Sequence, residues 1–320
     1  MTAPSPSRVP EPTAPRALLS RLAGALLDEQ PTAQPRDAER WLHGRWQAQT
    51  RPRWCSRFAA YCPVPGANTT DYAARVLDMG PHGTALAGIR FHRLDAHRPF
   101  VLVEVWHRPV SATAEGFCAA LAAAFSVFAP PEAHLFAAAD PGLPGAKAAR
   151  TVLAAPLARL RQRPAPAALG RVTLTPAPAV TRTEELLIAL YEAFYDRRPD
   201  LRDRVTPAST ALLRECAALG ALWWVEVDGE RAGLLGLRRQ DFRGLPGVEV
   251  VEEILAPAWW GQGLGPALQR RAFDHLSTDG SVCVWGTIDA DNTASERTAL
   301  RTGRRPLGAW WTVPLGTPYN

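Results

Sequence analysis

The chain has 320 residues, of which 47% are hydrophobic and 21% are charged, so it is globular in composition and long enough for two domains. Its five cysteines form no CxxC pair, which argues against a disulfide scaffold and against a clustered cysteine zinc site. The formal net charge of +5 comes almost entirely from arginine, because Lys147 is the only lysine. Scattered solvated arginines explain this charge better than a nucleic-acid-binding surface, which is usually more basic and more patterned.

No apolar stretch of the sequence is long enough to span a bilayer, and the N-terminus lacks the apolar core of a signal peptide. We therefore expect a cytoplasmic protein with no membrane partner. Residues 1–37 are expected to form an extension, disordered over residues 1–16, where Pro, Ser and Thr dominate, and helical over residues 17–28.

The first domain is predicted to span residues 38–162. Its apolar spacing and turn residues predict a helix, three strands, a helix, a strand and a helix in chain order. These elements are placed at residues 38–49, 74–79, 85–91, 100–106, 113–128, 133–138 and 146–160.

A linker is predicted at residues 163–171, where Pro164 and Pro166 stop any helix. The second domain then covers residues 172–320 and repeats the order of the first: hairpin, strand, helix, strand, helix. Asp228-Gly229 is the turn signal of its hairpin. Its strands are predicted at 172–175, 222–227, 232–237, 248–255, 283–288 and 309–313, and its helices at 184–195, 264–276 and 292–301.

The segment after residue 257 is the most informative in the sequence. A β-rich run ends at Pro257, and Gly261, Gly263 and Gly265 follow at alternate positions before a helix with Pro266 in its first turn. A strand, a glycine loop and a helix N-terminus together form an anion cradle, because backbone N–H groups converge there and the helix dipole adds positive potential. The segment therefore predicts a phosphate-binding loop.

The loop lacks the Walker A lysine, and its glycines do not have the Rossmann spacing. Trp260–Gly265 instead resembles the Q/R-x-x-G-x-G/A loop of the GNAT superfamily of N-acetyltransferases, with Trp260 where the family has Arg or Gln. A second family pattern, N-x-x-S/A-x-x-x-Y-x-x-x-G, is matched at Asn292, Ser295 and Gly303, but Ala299 replaces the tyrosine. The resemblance covers about residues 172–320.

The resemblance implies an α+β fold of two tandem GNAT-like domains, each a mixed, mostly antiparallel sheet flanked by helices. The first half resembles the family only in the order of its elements. Its equivalent loop has one glycine and carries Pro109 and Glu115, both unfavourable for phosphate binding. Proline lacks a backbone N–H, and glutamate is negatively charged. We interpret it as a degenerate copy; an unrelated α/β domain is the alternative.

The resemblance also implies acetyl-CoA as co-substrate and an N–H near Leu255 as the oxyanion donor. Asn292 is also an ordinary helix N-cap, and that alternative stays open. The residues expected to bind the coenzyme are Ile254, Leu255, Ala256, Trp260, Gly261, Gln262, Gly263, Leu264, Gly265, Pro266, Asn292 and Ser295.

Acyl transfer to an amine requires a base, because an alkyl ammonium titrates near pH 10. The strand at 248–255 carries Glu249, Glu252 and Glu253, and strict alternation would put Glu249 and Glu253 on one face. We predict Glu249 or Glu253 as the general base. The alternative is that these glutamates pair with arginines of residues 238–243.

The sequence thus predicts an acetyl-CoA-dependent N-acetyltransferase acting on a primary amine of a small molecule or peptide, with oligomer formation possible. Ala299 cannot protonate a thiolate, so Ser295, Tyr319 or water would have to substitute. Two rival functions remain: an acyl-CoA-binding protein without turnover, and a transferase that uses another acyl-CoA. No nucleic-acid partner is expected. No metal site is expected either, because the seven histidines are dispersed and lack HExxH spacing.

Overall fold

The structure is a computed structural model that describes residues 16–29, 34–110, 112–177, 180–277 and 282–316. The expectation of disorder over residues 1–16 falls almost wholly outside these ranges. The described residues form two compact units. Those up to Lys147 and those from Trp311 onward form the first unit, and Ala148–Trp310 form the second.

The first unit places four strands side by side, followed by the end of a fifth. In order they are β1 (Arg75–Asp78), β2 (Thr84–Phe91), β3 (Pro99–His107), β4 (Glu132–Ala137) and β11 (Arg305–Pro314). The β1–β2 and β2–β3 pairs are antiparallel, whereas β3 and β4 are parallel. Its α-helices are α1 (Arg16–Glu29), α2 (Pro35–Thr50), α3 (Pro52–Tyr61) and α4 (Ala114–Ala124).

The second unit has the strand order β11-β5-β10-β9-β8-β7-β6, antiparallel from β9 to β6 and between β5 and β10, with β9 and β10 parallel. Its elements are β5 (Lys147–Pro156), α5 (Leu157–Arg161), β6 (Val172–Pro176), α6 (Val180–Arg197), α7 (Thr210–Ala218), β7 (Leu222–Val227), β8 (Glu230–Arg239), β9 (Gly247–Leu255), α8 (Leu264–His275), β10 (Cys283–Asp289), α9 (Thr293–Thr302) and β11 (Arg305–Pro314).

Both faces of the second unit's sheet are covered by helices. Leu235, Val248 and Leu268 belong to a core on the α8 side. Leu234 and Ile254 belong to a second core on the side of α6 and α7. The predicted fold class, two tandem units each with a mixed and mostly antiparallel sheet flanked by helices, is confirmed.

The predicted hairpin of the second unit is confirmed. Asp228 and Gly229 join β7 to β8 with φ of 51° and 86°. Positive φ at both central residues gives the turn the twist that the paired strands require.

The helix predicted at residues 146–160 is wrong. Alanine favours a helix there, but residues 147–156 form β5 and only Leu157–Arg161 are helical. β5 pairs with β10 from Arg150↔Asp289 to Pro156↔Cys283, so tertiary pairing overrides the weak local preference.

The boundary between the compact units lies after Lys147, and not at the predicted linker, residues 163–171. Ala155, Leu157 and Leu160, which precede that linker, are buried in the core of the second unit. That residues 38–162 and residues 172–320 are two tandem copies of one domain stays a prediction. None of the described helices is long and apolar enough to cross a membrane.

Two irregularities of β9 position the candidate site. β9 and β10 are paired only from Gly247↔Cys283 to Glu249↔Trp285, after which they diverge. On its other edge, β9 pairs with β8, where Val250 lies opposite Leu237 and Glu252 lies opposite Gly236. Val251 therefore has no partner on β8 and forms a β-bulge. The divergence leaves a gap in the sheet, and the bulge changes which side chains point toward each face.

Candidate functional site

Two adjoining cavities lie where β9 and β10 separate. The larger has a volume of about 560 Å³ and lies along the glycine loop, the start of α8 and one side of α9. The smaller, about 230 Å³, lies between the diverging strands and the segment after α6. Five residues line both cavities: Tyr191, Val205, Glu253, Asn292 and Ser295. Together they form a cleft of the size that holds a small-molecule ligand.

The glycine loop has the geometry of an anion cradle. Gly261 and Gly263 have φ of 76° and 70°, and a Cβ built on either would meet nothing within 4 Å. These two glycines therefore supply left-handed turns and leave the backbone open to the cleft. Glycine is needed at position 265 for a different reason. A Cβ there would lie 2.6 Å from Thr298 Cγ2, so Gly265 allows α8 to approach α9 closely.

Ten of the twelve predicted coenzyme-binding residues line the larger cavity. They are Ile254, Leu255, Trp260, Gly261, Gly263, Leu264, Gly265, Pro266, Asn292 and Ser295. Ala256 and Gln262 do not. The Gln262 side chain donates to the Ala258 carbonyl and accepts from Arg171. The Ala256 N–H donates to the Ala232 carbonyl at 2.7 Å.

The predicted donor at Leu255 faces the gap. Because backbone N–H groups alternate sides along an antiparallel strand, the bond from Ala256 to β8 turns the Leu255 N–H away from β8. Its carbonyl accepts a hydrogen bond from Trp260 Nε1 at 2.7 Å. The Trp260 side chain is thus hydrogen-bonded to the end of β9. The GNAT pattern has Arg or Gln at the position of Trp260.

Asn292 is a helix cap as well as a cleft residue. Its side-chain oxygen accepts from the Ser295 N–H at 3.3 Å at the start of α9. Both open interpretations of Asn292 are therefore compatible with its position, since it also lines both cavities.

Three arginines that were not predicted as site residues, Arg198, Arg297 and Arg301, line the larger cavity. Arg297 and Arg301 lie one helical turn apart on α9, and both are exposed. Their i,i+4 spacing could have indicated a shared basic face on a helix that begins at the predicted motif. They complement the α8 N-terminus in attracting an anionic ligand.

The predicted arrangement of the three β9 glutamates is wrong, because the bulge at Val251 shifts the alternation. Glu249 lies on the α7 side, where Arg238 NH2 is 2.6 Å from its carboxylate and also pairs through NH1 with Glu215. Glu249 lines neither cavity. This placement matches the ion-pair alternative, and its role as general base stays a prediction that the geometry does not favour.

Glu252, which the sequence analysis did not choose, lies in the wall of the smaller cavity. Its carboxylate accepts from Tyr191 Oη at 3.1 Å, from the Ala208 N–H at 2.9 Å and from the Glu253 N–H at 3.1 Å. Burial raises its pKa to about 7 despite these donors, since only 3% of the residue is exposed. A carboxyl that titrates near neutrality suits proton transfer.

Glu253 points to the opposite face, toward α8, and lines both cavities. Gln269 donates to its carboxylate, and Arg304 NH2 donates to the Gln269 side-chain oxygen at 3.1 Å. Burial raises the pKa of Glu253, and the charge of Arg304 opposes that rise. Gly286 makes room for this network, because a Cβ there would lie 2.8 Å from Arg304 NH1.

Ala299, at the position of the family's tyrosine, is fully buried and lines neither cavity. Of the proposed substitutes, Ser295 lies at the junction of the two cavities, and Tyr319 lies outside the described residues. Tyr191 provides a second hydroxyl at that junction.

Three acidic and three basic side chains line the smaller cavity: Glu252, Glu253, Asp289, Arg150, Arg204 and Arg304. Asp289 is buried there. Arg204 approaches it at 3.6 Å and pairs more closely with Asp291, at 2.6 Å. Side chains of both charges therefore line the smaller cavity.

The corresponding position in the first unit is closed. α4 follows β3 as α8 follows β9, but the His82 ring occupies the space at its N-terminus. A Cβ on Gly116 would lie 2.0 Å from His82 Cε1. The backbone carbonyl of His82 is fixed by Trp106 Nε1 at 3.0 Å. A histidine side chain therefore fills the place where the second unit has its open glycine loop.

Comparison with solved structures defines the class of fold. A GCN5-related N-acetyltransferase from Sphaerobacter thermophilus superposes with a TM-score of 0.59 at 15% identity, covering 95% of this chain and 94% of that chain. This similarity shows the fold. A GCN5-related N-acetyltransferase from Kribbella flavida (TM-score 0.43, 18% identity, covering 84% and 96%) and a tandem GNAT protein from the clavulanic acid biosynthesis pathway (0.47, 16%, 85% and 97%) are more distant.

A family model matches part of the sequence. Residues 183–303, which include β9, the glycine loop and α9, match the model of the acetyltransferase (GNAT) family. A search of curated protein sequences gives no match.

Proposed function

We propose that this protein is an acetyl-CoA-dependent N-acetyltransferase that acts on a primary amine of a small molecule or peptide. The observation that carries the proposal is the open loop at Gly261 and Gly263 beside the gap between β9 and β10. This is the arrangement that a diphosphate and an extended thiol arm require. The family match supports the reaction class.

The residues of the larger cavity would hold the coenzyme. The amides of the glycine loop and the N-terminus of α8 would bind the diphosphate, and Arg297 and Arg301 would neutralise further phosphate charge. When bound, the coenzyme supplies an acyl thioester, whose carbonyl carbon accepts the amine.

The chain's own groups at the cavity junction would perform proton transfer. Glu252 would accept a proton from the acceptor ammonium, directly or through one water, because its pKa of about 7 leaves a large fraction ionised at neutral pH. The Leu255 N–H would donate a hydrogen bond to developing negative charge in the gap. Ser295 would supply a hydroxyl group for the departing thiolate. Glu249 and Glu253, predicted from sequence, remain alternatives for the base.

A second function is favoured by one observation. Because Ala299 is buried where the family has tyrosine, and Arg238 engages Glu249, the protein could bind acyl-CoA without turnover. The cost of releasing a bare thiolate at pH 7 is only about 2 kcal/mol for a thiol with a pKa near 8.5, so this loss slows transfer without abolishing it. A donor with another acyl chain is the third possibility.

The decisive experiment measures acetyl-CoA binding by calorimetry and product formation by mass spectrometry with a pool of amines and peptides. Gly263→Glu should abolish detectable binding, since it places a negative charge in the phosphate cradle. Gly263→Ala controls for backbone strain. Gly220→Glu, at a glycine with the same φ of 70° and open surroundings outside the cleft, controls for charge and strain together.

Each outcome decides between the alternatives. Binding and an acetylated product in the wild type, both lost in Gly263→Glu alone, support the enzyme. Binding without any product or free thiol supports the binding protein. Unchanged affinity in Gly263→Glu rejects the loop as the coenzyme site.

A further inference from the structure

Three metal-ligating side chains converge in the first unit, outside the GNAT-family segment. His92 Nε2 lies 2.9 Å from Glu132 Oε1, and His134 Nε2 lies 3.0 Å from the same oxygen. All three ligand atoms lie within 4.8 Å of one another. No metal site was expected from the sequence, because the histidines are dispersed along the chain; the fold brings two of them together.

Sheet geometry explains the convergence. Glu132 and His134 are two residues apart on β4, so they share a face, while Ala133 and Leu135 between and beyond them are buried in the core on the α4 side. His92 directly follows β2, and its backbone N–H donates to the Arg98 carbonyl at 3.0 Å. The cluster therefore lies on the sheet face opposite α4.

Aromatic packing holds the two imidazoles in place. Phe100 on β3 stacks on His134 with ring centroids 4.3 Å apart and packs on His92 at 4.4 Å. Thr312 Oγ1 on β11 lies 3.5 Å from His134 Nε2. Restricting the rings lowers the entropic cost of assembling a ligand set, which is how surrounding residues support metal sites.

The chemistry of the three groups fits one ion. Two imidazole nitrogens and one carboxylate oxygen are a ligand set that zinc accepts with a fourth position left to water. Zinc–ligand bonds near 2.0–2.1 Å place tetrahedral neighbours roughly 3.3 Å apart, so the separations of 2.9 and 3.0 Å between Glu132 Oε1 and the two histidine nitrogens need only a small outward movement. The two histidine nitrogens lie within 4.8 Å of each other, so a change of side-chain rotamer can bring them to the same spacing. All three side chains are partly exposed, at 23–30%, which leaves water access to the fourth position.

We propose that His92, Glu132 and His134 form a zinc-binding site in which a water completes the coordination. The site is independent of the proposed acyltransferase reaction, because none of its residues lies in the second unit. Its nitrogen-rich ligand set disfavours magnesium and calcium, which prefer oxygen.

The test uses the full chain after removal of metals with EDTA. Zn²⁺ is added in a calorimeter, and bound zinc is counted by elemental analysis after dialysis. We expect one zinc per chain in the wild type and at least a 100-fold weaker affinity in His92→Ala and His134→Ala. His43→Ala, which removes an exposed histidine of α2, should bind zinc like the wild type.

A second measurement needs no variant. Co²⁺ added to the metal-free wild type should give the intense visible absorption of a four-coordinate ion, and Zn²⁺ should displace it. Glu132→Gln, which keeps the size of the side chain, should lower the affinity while circular dichroism remains unchanged. The absence of bound zinc in the wild type, equal affinity in the histidine variants, or only weak six-coordinate cobalt absorption would each overturn the site and leave a hydrogen-bonded cluster.

Discussion

At the scale of single residues, the proposed chemistry depends on how Glu252 is surrounded. Its carboxylate is buried, which raises its pKa, while Tyr191 and two backbone N–H groups stabilise the ionised form. The balance places the pKa at about 7. Below that pH Glu252 is protonated and cannot accept the amine proton, so kcat/KM should fall on the acid side.

Glu252→Gln should reduce kcat/KM by roughly 100-fold or more, because general-base catalysis contributes at least that much. In this variant the decline of activity below pH 7 should disappear, while the affinity for acetyl-CoA should equal that of the wild type. Glu249→Gln is the matched comparison and should retain the decline. If Glu249→Gln loses it and Glu252→Gln does not, the base predicted from sequence is the correct one.

Tyr191→Phe tests the same assignment in a different way. The tyrosine hydroxyl donates to Glu252 and lowers its pKa, so removing the hydroxyl should move the midpoint of the pH profile upward. The measurement is kcat/KM between pH 5 and 9. A midpoint that stays in place or moves downward would mean that another group controls the profile.

At the scale of elements, the cleft depends on how closely α8 approaches α9. Gly265 on α8 faces Thr298 on α9, and a Cβ on Gly265 would lie 2.6 Å from Thr298 Cγ2 and 2.8 Å from its Oγ1. The loop glycines therefore act differently: Gly261 and Gly263 shape the backbone, and Gly265 permits helix packing.

Gly265→Ala should lower the free energy of unfolding by about 1–3 kcal/mol through this collision, although alanine is the better helix former by up to about 1 kcal/mol. Thr298→Ala removes both colliding atoms, so adding it should recover most of the loss. The free energies of unfolding of the wild type, the two single variants and the double variant, measured by denaturant unfolding, form a double-mutant cycle. Strictly additive effects would show that the two residues do not collide.

At the scale of the whole molecule, each unit is completed by a segment distant in the chain. The second unit includes β5, which precedes the predicted linker, and Leu157 and Leu160 of α5 are buried in its core. The first unit includes the residues from Trp311 onward, and Val313 is buried in its core.

A fragment of residues 163–316 should therefore not unfold cooperatively, because β10 loses its antiparallel partner and the core loses buried leucines. A fragment of residues 146–316 keeps both and should show a sigmoidal thermal transition. Circular dichroism of the two purified fragments makes the comparison. Equal cooperativity in both would mean that β5 is dispensable to the second unit.

Much of the candidate site could be predicted from sequence because its signals are local. Gly261 and Gly263 are needed by the backbone itself, and Asn292 caps the helix that begins after it. The position of Glu252 in the wall of the smaller cavity could not be predicted, since one extra residue at Val251 reverses the faces of the strand beyond it. The pairing of β5 could not be predicted either, because alanine-rich segments are decided by their partners.

The sequence by itself determined the glycine loop, the motif of α9 and the order of strands and helices, because turn chemistry, capping and hydrophobic period act over a few residues. Only the tertiary structure decided which glutamates line the cleft, which segments complete each unit, and that His92 and His134 meet at Glu132. Those features depend on strand register and on contacts between residues far apart in the chain, for which a local pattern carries no information.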